Sequence, residues 1–515
     1  MSARRRAAAI ATLALAIVLS GCTGDALGPA TPSPSATPPA QPATPVTAAE
    51  LPSYTAVARL SGALDCTGTL ISIPTSATDA ASAPAYVLTT GRCAGLDAQS
   101  EANETIVDQP GRGTARFLDI TGASSDAIVT SNIARVEYAT RRGDDIAVLR
   151  LDASLADLAA KGVTPLTVSS TVPDQGIAVT NVAVPTEDLP EADRVMRKGE
   201  CTIGATRTVL EYKWLWFGAL STPCPGVIGG TAGAPLIADG QVVGMIGTTN
   251  VGVPTGRGSS CYVGRPCEVG SDGATFVADS SYSMPVASVS GCFATGRFAL
   301  GSGCGLSDAQ WSIDGGGIFG GDGQDGTGRT PSLTLQAATT AGLEVQLNVP
   351  IADAATCTDA STYDAGRRYI LDPGDERVVP VALPTTNSFV VACIAVPGDE
   401  ANAARIVFSI DTVAPTDGPE LTVQRFADGG VLVEPVFDLP DMSSVWVKFG
   451  DPSETVCADP TGYSEAYRQP FLYERGALPL RFCAYGFDVA GNKSPVVDHI
   501  IDPATPTPTP GATIR

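Results

Sequence analysis

Between residues 53 and 305 the chain is a succession of short β-rich runs cut off by Gly, Pro and Asp, with no long stretch carrying the apolar period of an amphipathic helix. Ile146-Ala147-Val148-Leu149-Arg150-Leu151 and Val242-Val243-Gly244-Met245-Ile246 are typical of these runs. Glycine and proline at this density stop helices before they propagate and leave turns between strands. The expected fold class is all-β. Of 515 residues 44% are hydrophobic, enough to fill buried cores although only 6% are aromatic. A chain of this length suits roughly two to four domains.

A set of short motifs means more in its order than any member does alone. Cys66-Thr67-Gly68-Thr69-Leu70 is followed by Val87-Leu88-Thr89-Thr90-Gly91-Arg92-Cys93 and then by Asp145-Ile146-Ala147-Val148-Leu149. Gly230-Thr231-Ala232-Gly233-Ala234-Pro235-Leu236 comes next, and the apolar run from Val242 closes the series. In this order they resemble the trypsin-like (chymotrypsin-fold) serine proteases, over residues 53–305. The resemblance implies a double β-barrel with a catalytic histidine, aspartate and serine. Here the base position holds Arg92, the aspartate is kept as Asp145, and the nucleophile position holds Ala232. The glycine-bearing turn is retained, so Gly230 and Ala232 are the expected remnants of the oxyanion hole.

Those replacements remove the chemistry that the resemblance would otherwise imply. A guanidinium stays protonated at working pH, and an alanine methyl has no attacking atom. Thr231 has a hydroxyl, but one residue's shift on a tight turn sends it away from the cleft. The only histidine, His499, lies in an alternating run near the C-terminus. The expectation is an inactive homologue, a pseudoprotease that binds extended peptides or protein partners in a retained cleft. Two alternatives stay open: an active trypsin-like endopeptidase with a non-standard site, and an architectural protein of the cell envelope. Arg92 and Asp145 are expected to form an ion pair. The other reading turns Arg92 to solvent and leaves Asp145 on backbone N–H groups.

The N-terminus places the chain outside the cytoplasm. Arg4-Arg5-Arg6 precedes an apolar run over residues 7–19, too short to span a bilayer, and Leu19-Ser20-Gly21-Cys22 resembles a bacterial lipobox. Residues 1–21 are read as a lipoprotein signal peptide and Cys22 as the lipidated residue, anchoring the protein on the outer face of the bacterial cell membrane. An ordinary signal peptide is the alternative. The chain has 13 cysteines, and setting Cys22 aside leaves an even twelve, as an oxidising compartment favours. The resemblance implies Cys66–Cys93. Nearest-neighbour pairing adds Cys201–Cys224, Cys261–Cys267, Cys292–Cys304, Cys357–Cys393 and Cys457–Cys483, although sequence alone leaves connectivity open. No repeated Cys-x-x-Cys pattern and a single histidine argue against a metal site, and no cofactor is expected. A net charge of −22 argues against nucleic acid as a partner.

The remaining segments divide by composition. Residues 22–52 are a Pro/Thr/Ser/Ala-rich linker, and 503–515 a disordered Pro/Thr tail. Residues 306–330 are a Gly/Asp-rich linker; Gly320-Gly321-Asp322-Gly323-Gln324-Asp325 matches the start of a calcium β-roll repeat, but it occurs once. Residues 331–412 and 413–502 look like one unit used twice. Leu333-Thr334-Leu335-Gln336 parallels Leu421-Thr422-Val423-Gln424, and Cys357-Thr358-Asp359 parallels Cys457-Ala458-Asp459. The junction Asp411-Thr412-Val413-Ala414-Pro415-Thr416 resembles linkers between bacterial immunoglobulin-like repeats, and Ala484 to Asn492 resembles their penultimate strand and turn; the resemblance implies two β-sandwiches, with one larger all-β domain as the alternative.

Overall fold

The structure, a computed structural model, describes residues 43–503 apart from 63, 75–81, 98, 188, 254–260, 302, 307–310, 438–440 and 467–469, together with the backbone of 512–514. The expected signal peptide over 1–21 and Cys22 lie outside the described residues, as does most of the C-terminal tail.

Strands Val57–Ser61, Asp65–Ile71, Pro84–Thr89, Ile146–Ser154, Val129–Thr140 and Thr114–Phe117 pair in that order, all antiparallel, and the last returns to the first. This closed six-strand barrel is filled by Ala58, Leu60, Leu70, Val87, Phe117 and Leu149. Alternation explains the filling: along the first half of Val129–Thr140, Val129, Ser131 and Ile133 are buried while Thr130, Asn132 and Ala134 are exposed.

A second curled sheet runs Arg197–Thr202, Ala178–Ala183, Pro235–Ala238, Gln241–Thr249, Ser281–Pro285, Trp214–Ser221 and Thr206–Glu211. The segment 203–205 joins its two ends. Gly204 donates its N–H to Ser221 O at 2.7 Å and Ser221 donates to Ala205 O at 3.1 Å, so the ladder continues around the sheet. Between Gln241–Thr249 and Ser281–Pro285 the chain makes a long excursion ending in the hairpin Cys267–Gly270 and Gly273–Phe276, which pairs onto Thr206–Glu211. Leu88, Ile146 and Val148 of the first barrel share a core with Val209, Trp214, Trp216, Met245 and Tyr282 of the second sheet. The site described below sits beside this seam.

Two two-sheet sandwiches follow. In the first, Trp311–Gly315, Ser332–Ala337 and Glu376–Pro380 face a sheet of Gly317–Phe319, Ala404–Ile410, Ser388–Ala395, Ala341–Pro350 and Arg368–Leu371. In the second, Glu420–Arg425, Val431–Val436 and Phe471–Tyr473 face Ser444–Gly450, Ser464–Glu465, Leu480–Phe487 and Val497–Ile501. The segment 306–330 is therefore not wholly a linker. Trp311–Gly315 pairs antiparallel with Ser332–Ala337, and Gly317–Phe319 pairs parallel with Ala404–Ile410. Trp311, Ile313, Ile318 and Phe319 supply the buried side chains. Gly315, Gly316 and Gly317, with φ of 154°, 76° and 119°, let the chain cross between sheets where a side chain would be strained.

Two further segments depart from expectation. Within 22–52, Thr44–Pro45 pairs with Arg197–Thr202, and Val46 is buried with Val57, Val182 and Met196. The Pro/Thr-rich stretch thus includes folded structure at its C-terminal end, where its one valine, Val46, joins an apolar cluster. The strand equivalences also shift. By partners, Ser332–Ala337, between Trp311–Gly315 and Glu376–Pro380, matches Val431–Val436, between Glu420–Arg425 and Phe471–Tyr473.

Candidate functional site

Residues 228–236 form a tight loop closed by its own backbone. Thr231 N–H donates to Ile228 O at 3.1 Å, Ala234 N–H to Thr231 O at 3.0 Å, and Gly233 N–H to Ile246 O at 2.7 Å. Gly233 has φ of 83°, and a Cβ there would run into the Thr89 hydroxyl and the Thr67 carbonyl, so only glycine fits. Thr67 of the first barrel clasps the loop twice: its hydroxyl donates to Gly230 O and its N–H to Ala232 O, each at 2.9 Å. The backbone N–H groups of Gly230 and Ala232 have no acceptor among the described residues. Thr231 is buried, and its hydroxyl donates to Ile228 O at 2.6 Å. It is tied into the loop and has no path to a ligand.

Arg92 lies in the short 3-10 turn Gly91–Ala94, next to the Cys66–Cys93 disulfide. Cys93 Sγ lies 3.7 Å from Ala232 O, which sets the turn against the loop. Asp145, at the start of Ile146–Ser154, has no solvent exposure, and Arg92 N–H donates to its Oδ1 at 3.3 Å. The positions of Arg92, Asp145 and Ala232 thus converge across the seam.

The expected Arg92–Asp145 ion pair does not form among the described residues. Arg141 takes the place of Arg92: its Nε lies 3.5 Å from Asp145 Oδ2 and its Nη2 3.0 Å from Glu211 Oε1, with all three side chains at most 1% exposed. The cause is local. Arg141 leaves the end of Val129–Thr140, and the turn over 141–145 folds its side chain back across Asp145. The guanidinium carbon sits 3.7 Å from the Trp214 ring centroid, and Trp216 Nε1–H donates to Arg141 O at 2.8 Å. Arg92 is half-buried and keeps only a longer-range attraction for Glu211.

Charge in this cluster is unevenly shared. Burial pushes the Asp145 carboxyl above its ordinary value; Arg141 opposes the shift and Glu211 adds to it. Burial also acts to raise Glu211, but Arg141, then Arg92, outweigh it and hold Glu211 low. Arg141 therefore serves Glu211 first. Gly264 N–H adds a bond to Glu211 Oε1 at 3.3 Å. Asp145 Oδ2, Glu211 Oε2 and Arg141 Nη1 have no hydrogen-bond partner. Nothing in the sequence marked Arg141 or Glu211, and Thr67 stood in the Cys66–Leu70 motif only as its variable position. Each sits in an ordinary strand or turn, and only the pairing of strands far apart in the chain joins them.

His499 is in Val497–Ile501 of the second sandwich, paired across from Phe482. Disulfides join Cys66–Cys93, Cys201–Cys224, Cys261–Cys267, Cys292–Cys304, Cys357–Cys393 and Cys457–Cys483, the same pairs that nearest-neighbour pairing gives. Among the described residues Cys457, Cys483 and Asp498 converge as a group of metal-ligand types, but the two sulfurs are bonded to each other. In the last two domains Tyr363 OH donates to Cys357 O at 2.7 Å and Tyr463 OH to Cys457 O at 2.8 Å, a matched detail the sequence parallels missed.

No protein-family profile and no curated protein sequence matches the chain. Solved structures that it resembles include an inactive serine-to-alanine mutant of Rv3671c from M. tuberculosis, with 16% identity and a TM-score of 0.26 over 48% of this chain and 91% of that one. A thermostable serine protease from an extremophilic microorganism gives 13% identity and a TM-score of 0.29, over 45% and 92%. A mutant of human heparin binding protein gives 15% and 0.29, over 48% and 91%. Similarity this low carries no argument about function, which rests on the geometry above.

Proposed function

We propose that this protein is a non-hydrolytic member of the trypsin-like fold, a pseudoprotease held by a lipid on Cys22 at the bacterial cell surface. One observation carries the reading. Of the three positions that would perform acyl transfer, Ala232 offers a methyl and Arg92 a permanent cation, while Asp145 is enclosed by Arg141 and Glu211. No group at the site attacks a carbonyl, and none takes a proton from an attacker.

What the loop retains is a means of holding. Gly230 and Ala232 are partly exposed residues, and their N–H groups suit a ligand carbonyl. Along the other side of the cleft the chain fills the space itself. Glu211 lies against Thr248, Cys261 O accepts from Tyr212 N–H, and Gly264 N–H reaches Glu211. An extended peptide or protein segment would therefore be anchored at 229–233 rather than along Gln241–Thr249. Binding of the full chain to an immobilised peptide library, reduced by Gly230→Val, tests this.

An architectural role is the second reading, supported by the packing of the first sandwich. Leu210, Leu215 and Cys267 share a core with Val349, Ile351, Val391, Cys393 and Val407. On this reading the sandwiches are immunoglobulin-like spacers, in keeping with their common plan and matched tyrosines. Absence of any library binder would favour it.

A further inference from the structure

Behind the Arg141 cluster, where the turn over 138–144, the strand Trp214–Ser221 and residues 401–405 of the first sandwich meet, there is a cleft of about 280 Å³. Arg141, Arg142 and Arg405 border it, and Asp144 is the one carboxylate among its described lining residues. Phe217 and Leu306 give it an apolar wall. Arg405 is a cation without a carboxylate. Its Nε donates to Ala354 O at 3.0 Å and its Nη1 to Ala403 O at 3.2 Å, and neither bond uses Nη2. Its guanidinium carbon stands 4.5 Å from the Phe217 centroid, and among the described residues no acidic group comes within ion-pair distance. Arg141 borders the cleft too, but its side chain is at most 1% exposed and is engaged by Glu211 and Asp145.

A partly buried guanidinium stacked on an aromatic ring, with N–H groups to spare and no carboxylate, favours an anion that can take those N–H bonds. We propose that this cleft binds a small organic carboxylate, its acid group at Arg405 Nη2 and its apolar body against Phe217 and Leu306. The size suits a ligand at the small end of the usual range. The occupant would bridge the second barrel and the first sandwich, so it stabilises their junction. Asp144 is raised to about 6, by burial first, against a bond from Ser288 and with repulsion from Asp145. Protonating it removes the lining's negative charge, so an anion should bind more tightly at about pH 5 than at pH 7.

Titration calorimetry on the full folded chain tests this with benzoate, neutral benzamide and inorganic phosphate. The expected result is saturable one-site binding of benzoate, tighter at the lower pH, about tenfold weaker in Arg405→Gln, and undetectable for benzamide. Equal binding of benzamide, tighter binding of phosphate than of benzoate, no saturable binding, or an undiminished affinity in a folded Arg405→Gln would each overturn it. If Arg405→Gln does not fold, a crystal soaked in 4-bromobenzoate decides. Bromine density between Phe217 and Leu306 supports the site, and density elsewhere or none refutes it.

Discussion

Arg141 Nη2 lies 3.0 Å from Glu211 Oε1, and neither side chain is more than 1% exposed. Seventy positions apart in the chain, they join the end of a first-barrel strand to the tip of a second-barrel hairpin. Arg141→Ala would leave Glu211 and Asp145 buried and facing each other. Loss of one partner from such a cluster costs about 3–5 kcal/mol. Urea unfolding should show that loss for Arg141→Ala, a clearly smaller one for half-buried Arg92→Ala, and non-additivity when Arg141→Ala is combined with Glu211→Ala. A larger loss for Arg92→Ala than for Arg141→Ala would place the ion pair at Arg92 instead.

Asp144 gives a pH dependence of defined sign. Its folded-state carboxyl titrates near 6, above the ordinary 3.8, so the folded state holds a proton that the unfolded state has released. Its contribution to stability is fully present below about pH 4 and is lost as pH rises through about 6. Melting temperatures measured from pH 4 to 7 should fall less steeply in Asp144→Asn than in the unaltered protein. Parallel curves would remove Asp144 as the cause.

Gly233 is expected to tolerate no side chain. Gly233→Ala meets both a positive φ and a clash with Thr67 and Thr89, and strain of this kind is worth about 1–3 kcal/mol. Destabilisation in that range, with amide shifts confined to 228–236 and Thr67, is the predicted outcome. A neutral substitution would show that the loop is not clasped as described.

The lipid anchor is tested in cells. Cys22→Ala should move the protein out of the membrane fraction, and an inhibitor of lipoprotein signal peptidase should leave a heavier precursor. Unchanged membrane association of the variant would count against lipidation.

How much of this was legible in the sequence depended on range. Short alternating runs such as Val129–Thr140 carry their inward and outward faces in the residues themselves, so an all-β chain was readable. So were the convergence of Arg92, Asp145 and Ala232, through ordered motifs, and the cysteine pairs, through proximity. Trp311–Gly315 and Gly317–Phe319 were hidden because their apolar residues sit among glycines that read as a break. The Arg141–Asp145–Glu211 cluster was hidden for another reason. Arg92 was the arginine closest to the right motif, whereas Arg141 wins by the path of a turn and by the cover of Trp214, which only tertiary pairing supplies.

The central claim, that this protease-like site does no acyl transfer, is tested most directly by labelling the purified folded chain with a fluorophosphonate probe. Ala232→Ser is run beside it. The unaltered protein should take up no label at the site. Ala232→Ser should stay unlabelled as well, because Arg92 cannot act as a base and Arg141 holds Asp145. Label on the unaltered protein that disappears with Asp145→Ala would contradict the account.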